Sequence, residues 1–217
     1  MNKNKPSVPR RMPERPGEGF AVTSTRHNVV NVDGVTGVSL TADFSSAPVP
    51  DRRYVADVAS VVRVDDIVQL IFGQQKVGTD DLRSLVVIHM SCSAIRNFLD
   101  NSETINTAMR LIKTKFSLSS RKLIDIKHEP TQTVALAASI IMASVSGREA
   151  CLDFYYSSPY VAVQVAQGGK FMVDPTARIM LPVNLLLSIL EKLDEIKADL
   201  PTDAVMKADL PTDEVTL

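Results

Sequence analysis

The sequence predicts an α+β protein built from two tandem units, each an antiparallel β-meander followed by a helix, with flexible termini. Three observations predict it. Val87-Ile88-His89-Met90-Ser91-Cys92-Ser93-Ala94-Ile95-Arg96-Asn97-Phe98-Leu99 and Arg178-Ile179-Met180-Leu181-Pro182-Val183-Asn184-Leu185-Leu186-Leu187-Ser188-Ile189-Leu190 match without a gap, each reading as a strand that runs into a helix. Two shorter matches precede this one in the same order: Val58-Ala59-Ser60-Val61-Val62 with Ala137-Ala138-Ser139-Ile140-Ile141, and Leu70-Ile71-Phe72 with Leu152-Asp153-Phe154. A pattern repeated in order along a chain is the mark of a repeated structural unit. The third observation is composition: 45% hydrophobic and 23% charged residues over 217 positions supply an apolar core and exclude wholesale disorder.

Five segments follow. Residues 1–19 hold Lys3, Lys5, Arg10, Arg11 and Arg15 among prolines without the apolar stretch of a signal peptide, and read as a disordered basic tail. Residues 20–50 read as a hairpin and linker. Asn28 to Val32 and Val35 to Phe44 flank Asp33-Gly34, a pair that tolerates the positive φ angles of a tight turn. The prolines of Ser45-Ser46-Ala47-Pro48-Val49-Pro50 cannot donate ladder hydrogen bonds.

The first unit, 51–120, begins with strands Tyr54–Val64 and Ile67–Gln75 joined by Asp65-Asp66, both rich in Val and Ile. A third strand, Leu82–Met90, has a continuous apolar centre that predicts burial on both faces. Ser91 is placed to cap the following helix, whose Ala94, Ile95, Phe98 and Leu99 share one stripe. Ile105, Ala108, Met109, Ile112 and Phe116 continue the helical period. The second unit, 121–197, has strands near Thr133–Val145 and Glu149–Ser157 around the turn Ser146-Gly147-Arg148. Tyr160–Val165 alternates and reads as another strand, in a stretch that the first unit lacks. Pro182 is expected at the first position of the last helix, where its missing N–H has no partner to lose. Residues 198–217 read as a flexible tail. With Lys197 they hold a decapeptide repeat, Lys-Ala-Asp-Leu-Pro-Thr-Asp-x-Val-x, whose sharper reading is a linear motif around Leu-Pro-Thr-Asp.

Chemistry is hard to find. His27, His89 and His128 share no ligand spacing with each other or with the cysteines, so neither a metal nor any other cofactor is expected. His89 matches Met180, an ordinary strand position. Cys92 opens a helix, where a thiol pKa can fall, but its match is Val183, which makes a small apolar slot the better explanation. Gly73, Gly78, Gly168 and Gly169 do not form a phosphate loop. A net charge of -1 makes nucleic acid an improbable partner. Even the longest apolar run, Val134–Val145, is too short to span a bilayer and is broken by Ser139 and Ser144. Two cysteines in separate units make no disulfide framework, and a cytoplasmic location is expected. The chain is not expected to be an enzyme.

Pro182-Val183-Asn184-Leu185, at the step from strand into the last helix, and Gln167-Gly168-Gly169-Lys170-Phe171 resemble segments of the SecB-like export chaperones. Met90-Ser91-Cys92 is similar to the Met-Ser-Pro helix start of a family of small uncharacterised bacterial proteins. The SecB resemblance implies a polypeptide-binding protein, a holdase or an adaptor, with its two units packed as a pseudo-dimer. An apolar, exposed client surface follows from it, and the residues expected there are Tyr155, Tyr156, Tyr160 and Phe171. Phe154 matches Phe72 and is expected in the core. The alternative is a structural or assembly subunit that forms homo-oligomers through its sheet edges.

Overall fold

The computed structural model describes residues 20–32, 35–44, 47–79, 81–101, 121–126, 133–158, 160–167 and 169–200, with isolated positions between 107 and 119. The expectations for the basic tail, for the Asp33-Gly34 turn itself, for Ile105 to Phe116 and for the tail beyond Leu200 lie outside these residues, as does His128.

Among the described residues two sheets and three helices make an α+β fold. A hairpin, β1 (Phe20–Val32) and β2 (Val35–Asp43), is followed by the short β3 (Arg53–Val55) and the meander β4 (Val58–Val64), β5 (Ile67–Gln75) and β6 (Leu82–Ser91). Helix α1 (Cys92–Asp100) continues from β6 without a break. The second half runs β7 (Val134–Ala137), β8 (Ile140–Ser146), β9 (Glu149–Tyr156), the helix α2 (Val161–Ala166), β10 (Phe171–Pro182) and α3 (Val183–Lys197). One sheet has the order β4-β5-β6-β7, the other β2-β1-β10-β9-β8 with β3 also on β10.

The meanders β4-β5-β6 and β8-β9-β10 are antiparallel, as the sequence predicts, and each sheet becomes mixed through one added parallel strand. The predicted strands Tyr54–Val64 and Thr133–Val145 are each broken, at Ala56-Asp57 and Ala138-Ser139, and the piece before each break crosses to the other half. There β3 pairs parallel with β10 (Arg178 with Arg53), and β7 pairs parallel with β6 (Val87 with Ala135). The breaks are secured alike. The Ala56 N–H bonds Met180 O (2.9 Å) and the Ala138 N–H bonds His89 O (3.0 Å), while Asp57 and Ser139 bond back to Gly73 O and Tyr155 O of their own meanders. Asp65 (φ 52°) and Gly147 (φ 62°) turn the first hairpin of each half through the left-handed region, which Gly enters freely and Asp more readily than most residues.

Pairing also fixes the correspondence between the halves. Val58 pairs with Gly73, and Ile140 pairs with Tyr155. Each meander carries a bulge just after its central phenylalanine, between Phe72 and Gly73 in one and opposite Phe154 and Tyr155 in the other. By this register Val58 stands where Ile140 does, three positions from the Ala137 that local similarity selects. Short Val/Ala/Ser stretches are too alike to fix register, whereas hydrogen-bonded pairing admits one answer.

The two strand-to-helix steps have nearly the same backbone. Ser91 (φ −66°, ψ 152°) caps α1 by accepting from the Ala94 N–H at 3.2 Å, as the sequence predicts. Pro182 (φ −64°, ψ 144°) is the cap of α3 itself, one residue earlier than expected, because its ring holds the extended φ that Ser91 adopts. Cys92 and Val183, the first helical residues, donate to Asp66 O and Arg148 O of the adjoining hairpin turns.

One core unites both halves. Leu70, Phe72, Ile88 and Ile95 pack in the same cluster as Leu152, Phe154, Ile179 and Leu186. Each such side chain contributes roughly 1.5–3 kcal/mol by leaving water. Helix α1 touches β8 and α3 touches β4, so each helix lies on the first strand of the other meander. Phe72 and Phe154, both fully buried, meet edge to face with ring centroids 6.1 Å apart. Among the described residues no helix is long and apolar enough to cross a membrane.

Candidate functional site

Strand alternation decides what each sheet shows on the side away from this core. In β9, Leu152 and Phe154 point into the core, so Cys151, Asp153 and Tyr155 face the other way. The same alternation puts Met142 and Ser144 of β8, Arg178 and Met180 of β10, and Arg53 and Val55 of β3 on that outer face. Two rows cross the strands: Val55, Met180, Cys151 and Ser144, then Arg53, Arg178, Asp153 and Met142.

At the centre Arg178 grips Asp153 with two parallel hydrogen bonds, Nε to Oδ1 at 2.6 Å and Nη2 to Oδ2 at 2.5 Å. This bidentate geometry is the strongest form of the pair, and the hydrogen bond to Asp153 raises the guanidinium pKa further above its ordinary value. Around the ion pair lie apolar side chains open to solvent: Val55 is 54% exposed, Met142 40% and Met180 38%. Cys151 Sγ sits 2.8 Å from Ser144 Oγ. Methionine is flexible and polarisable, and an exposed Met cluster can adapt to varied apolar partners.

The first sheet treats the same positions differently. Ile71 and Val87, a cross-strand pair, stand where Asp153 and Arg178 do. They are buried beneath Ile126, with Val58 in the same cluster and Ile124 in the segment before it. The Ile124 N–H also bonds Ala59 O on the edge strand β4 (3.2 Å). A face covered by chain can be apolar. The equivalent face of the second sheet is open among the described residues and is half polar.

At one end of this face lies a small second core. Val161 and Val165, four apart on α2, pack with Tyr155, Phe171, Val173 and Val22. The strand expected over Tyr160–Val165 is therefore a helix. Its β-branched alternation favours a strand, but the i, i+4 valines bury against this cluster, and Ser158 starts the turn by accepting from Tyr160 N–H (3.3 Å) and Val161 N–H (3.0 Å).

Tyr155 and Phe171, expected on an exposed surface, are buried in this cluster. Phe44 meets Tyr155 at a tilt and Phe171 edge to face, with centroids at 5.7 and 6.2 Å, and the Tyr155 hydroxyl donates to Pro48 O at 3.2 Å. Burial and the nearby Asp153 charge push the Tyr155 pKa upward. Tyr156 and Tyr160 remain at the surface, with Tyr160 the more open of the two. The four aromatics thus form no single exposed patch.

Reasoning from the sequence missed Met142, Met180, Val55 and the ion pair. The signal was present, because the matched segments already set Asp153 against Ile71 and Arg178 against Val87. Two facing apolar positions exchanged for opposite charges mark a face whose covering has changed. Cys92 is buried, its Sγ 3.9 Å from Asp65 O, in the apolar slot its match with Val183 implies. Among the described residues no three His, Cys, Asp or Glu side chains gather to hold a metal ion. No protein-family model matches this chain, and no curated protein matches it.

Proposed function

We propose that the chain is two copies of one sheet-and-helix unit folded as an internal pseudo-dimer of SecB-like type, and that it binds extended polypeptide, as a holdase or adaptor, without chemistry. The duplication is supported by the reciprocal exchange of β3 and β7, the shared bulge position and the edge-to-face contact of the matching Phe72 and Phe154. The observation that carries the binding function is the outer face of the second sheet, uncovered among the described residues and methionine-bearing where its counterpart is sealed by Ile124 and Ile126. The largely buried Arg178–Asp153 pair leaves the apolar side chains around it exposed.

The test is suppression of aggregation of a chemically denatured client by the full chain at near-stoichiometric ratio, compared with Met142→Lys/Met180→Lys. Both methionines are substantially exposed, so the variant keeps its fold, and a loss of suppression of about tenfold is expected. Full suppression by the variant removes this face from the function, and no suppression by the parent removes the holdase.

A second reading rests on β8, an edge strand among the described residues, whose sequence, Ile-Ile-Met-Ala-Ser-Val-Ser, has no charge and no proline to discourage pairing with another strand. Under it the chain is an assembly subunit, and sedimentation is expected to show self-association that a charge at the exposed Ser144, Ser144→Lys, abolishes.

A further inference from the structure

The hairpin of β1 and β2 leaves the sheet that holds its base. β1 pairs with β10 through Phe20, Ala21 and Val22, and that ladder ends at Val22 opposite Phe171, where β10 begins. From Thr23 to Val32 β1 pairs only with β2 among the described residues, in a register that runs from Thr23 opposite Asp43 to Val32 opposite Val35. At about 3.3 Å per residue this pair makes an arm about 30 Å long. Its base is anchored by Val22 and Phe44 in the small second core, and α2 packs beside β2. Two strands by themselves are marginally stable in water, and a further strand is what such a ribbon lacks.

The sequence of β2 indicates which strand. No residue from Val35 to Ala42 is ionisable, whereas β1 carries Arg26 and His27. Charges on an edge strand discourage pairing, and their absence permits it. With Val32 and Val35 as the last pair of the ladder, alternation turns the main-chain N–H and C=O groups of Thr36, Val38 and Leu40 away from β1. These three positions are their own complement. A second β2 laid antiparallel about a twofold axis at Val38 sets Val38 opposite Val38 and Thr36 opposite Leu40, each as a hydrogen-bonded pair, with no like charges facing. Val29 stands opposite Val38 within each arm, so two arms align four valines in one row across four strands, and such cross-strand pairs stabilise a sheet. A bilayer is the poorer occupant, because hydrocarbon leaves the same main-chain groups without hydrogen bonds.

We propose that β2 is a dimerisation strand: two copies of the chain join arm to arm, antiparallel and centred on Val38, into a four-stranded sheet. This interface uses neither the outer face of the second sheet nor the β8 edge, and it stands or falls independently of both.

Sedimentation velocity of the full chain over a wide concentration range is expected to show a reversible dimer. Val38→Lys, which sets two ammonium groups opposite each other at the axis, is expected to weaken it about tenfold. An unchanged urea midpoint, measured where both proteins are monomeric, is the control for an intact core. Register is tested by oxidation in a Cys151→Ser background, Cys92 being buried. Val38→Cys brings two Cα atoms to about 5.5 Å, within disulfide range, and is expected to give a cross-linked dimer. Thr41 falls opposite Val35 in this arrangement, so the two thiols of Thr41→Cys stand about 20 Å apart and are expected to cross-link at least tenfold less. A parent that stays monomeric overturns the inference, and its flotation with phosphatidylcholine vesicles would reassign the arm to lipid. A dimer that Val38→Lys leaves intact overturns it too, in favour of the β8 edge where Ser144→Lys dissolves that dimer. Equal cross-linking of the two cysteine variants also overturns it.

Discussion

Phe72 and Phe154 hold the two halves together, and their replacement measures how far those halves are one folding unit. Both side chains are fully buried and their rings meet at 6.1 Å with planes at 62°. Truncation of a buried phenylalanine to alanine costs about 3–5 kcal/mol, and an edge-to-face pair adds about 0.5–1.5 kcal/mol beyond burial. Whole-domain stability is about 5–15 kcal/mol, so a double alanine variant sits near the limit of folding. The cycle is therefore run with Phe72→Leu and Phe154→Leu, each expected to cost about 1–3 kcal/mol. Urea unfolding is followed by far-UV circular dichroism and by tyrosine fluorescence, the chain having no tryptophan. Because Leu70, Phe72, Ile88, Leu152, Phe154 and Ile179 share one cluster, each single variant is expected to unfold in one transition at lower urea. The double variant is expected to lose about 0.5–1.5 kcal/mol less than the sum of the two, since the ring contact can be lost only once. Strict additivity, or a transition split so that only half the signal moves, refutes the shared core.

Two further predictions follow from backbone and burial. At Gly73 an added Cβ would stand 2.6 Å from the Arg83 carbonyl oxygen in the bulge, a backbone contact that cannot move aside, so Gly73→Ala is expected to cost about 1–3 kcal/mol in the same urea assay. An unchanged midpoint would show that the bulge yields. The Tyr155 hydroxyl, with its pKa raised above the ordinary 10.0 chiefly by burial and then by Asp153, contributes stability that is fully present below pH 10 and lost as pH rises through the higher folded value. Absorbance titration at 295 nm is expected to show one tyrosine ionising late, and Tyr155→Phe to remove that late step. A titration unaltered by this substitution counts against the burial.

The strand and helix content was legible because the apolar periods are clear, and the Ser91 cap, the meander strands and the core role of Phe72 and Phe154 came directly from residue type and spacing. Strand breaks at Ala56-Asp57 and Ala138-Ser139 were not legible. Nothing local in Tyr54–Val64 opposes one continuous strand, and only the presence of a partner strand in the other half gives β3 somewhere to go. The helix over Val161–Ala166 was hidden for the opposite reason. Its local signal favours a strand, and burial of Val161 and Val165 on Phe171 and Tyr155 overrides it.

What the sequence by itself determined is the pair of matching strand-to-helix steps and the two positions, Ile71 against Asp153 and Val87 against Arg178, at which the matching segments part in polarity. Only the tertiary structure decided that these positions face each other across neighbouring strands, that Ile126 covers one pair, and that the other is a largely buried ion pair flanked by the exposed Met142 and Met180. The physical reason is that side-chain identity is written along the chain. Register, cross-strand pairing and the choice of which face is covered arise from contacts between residues far apart in sequence.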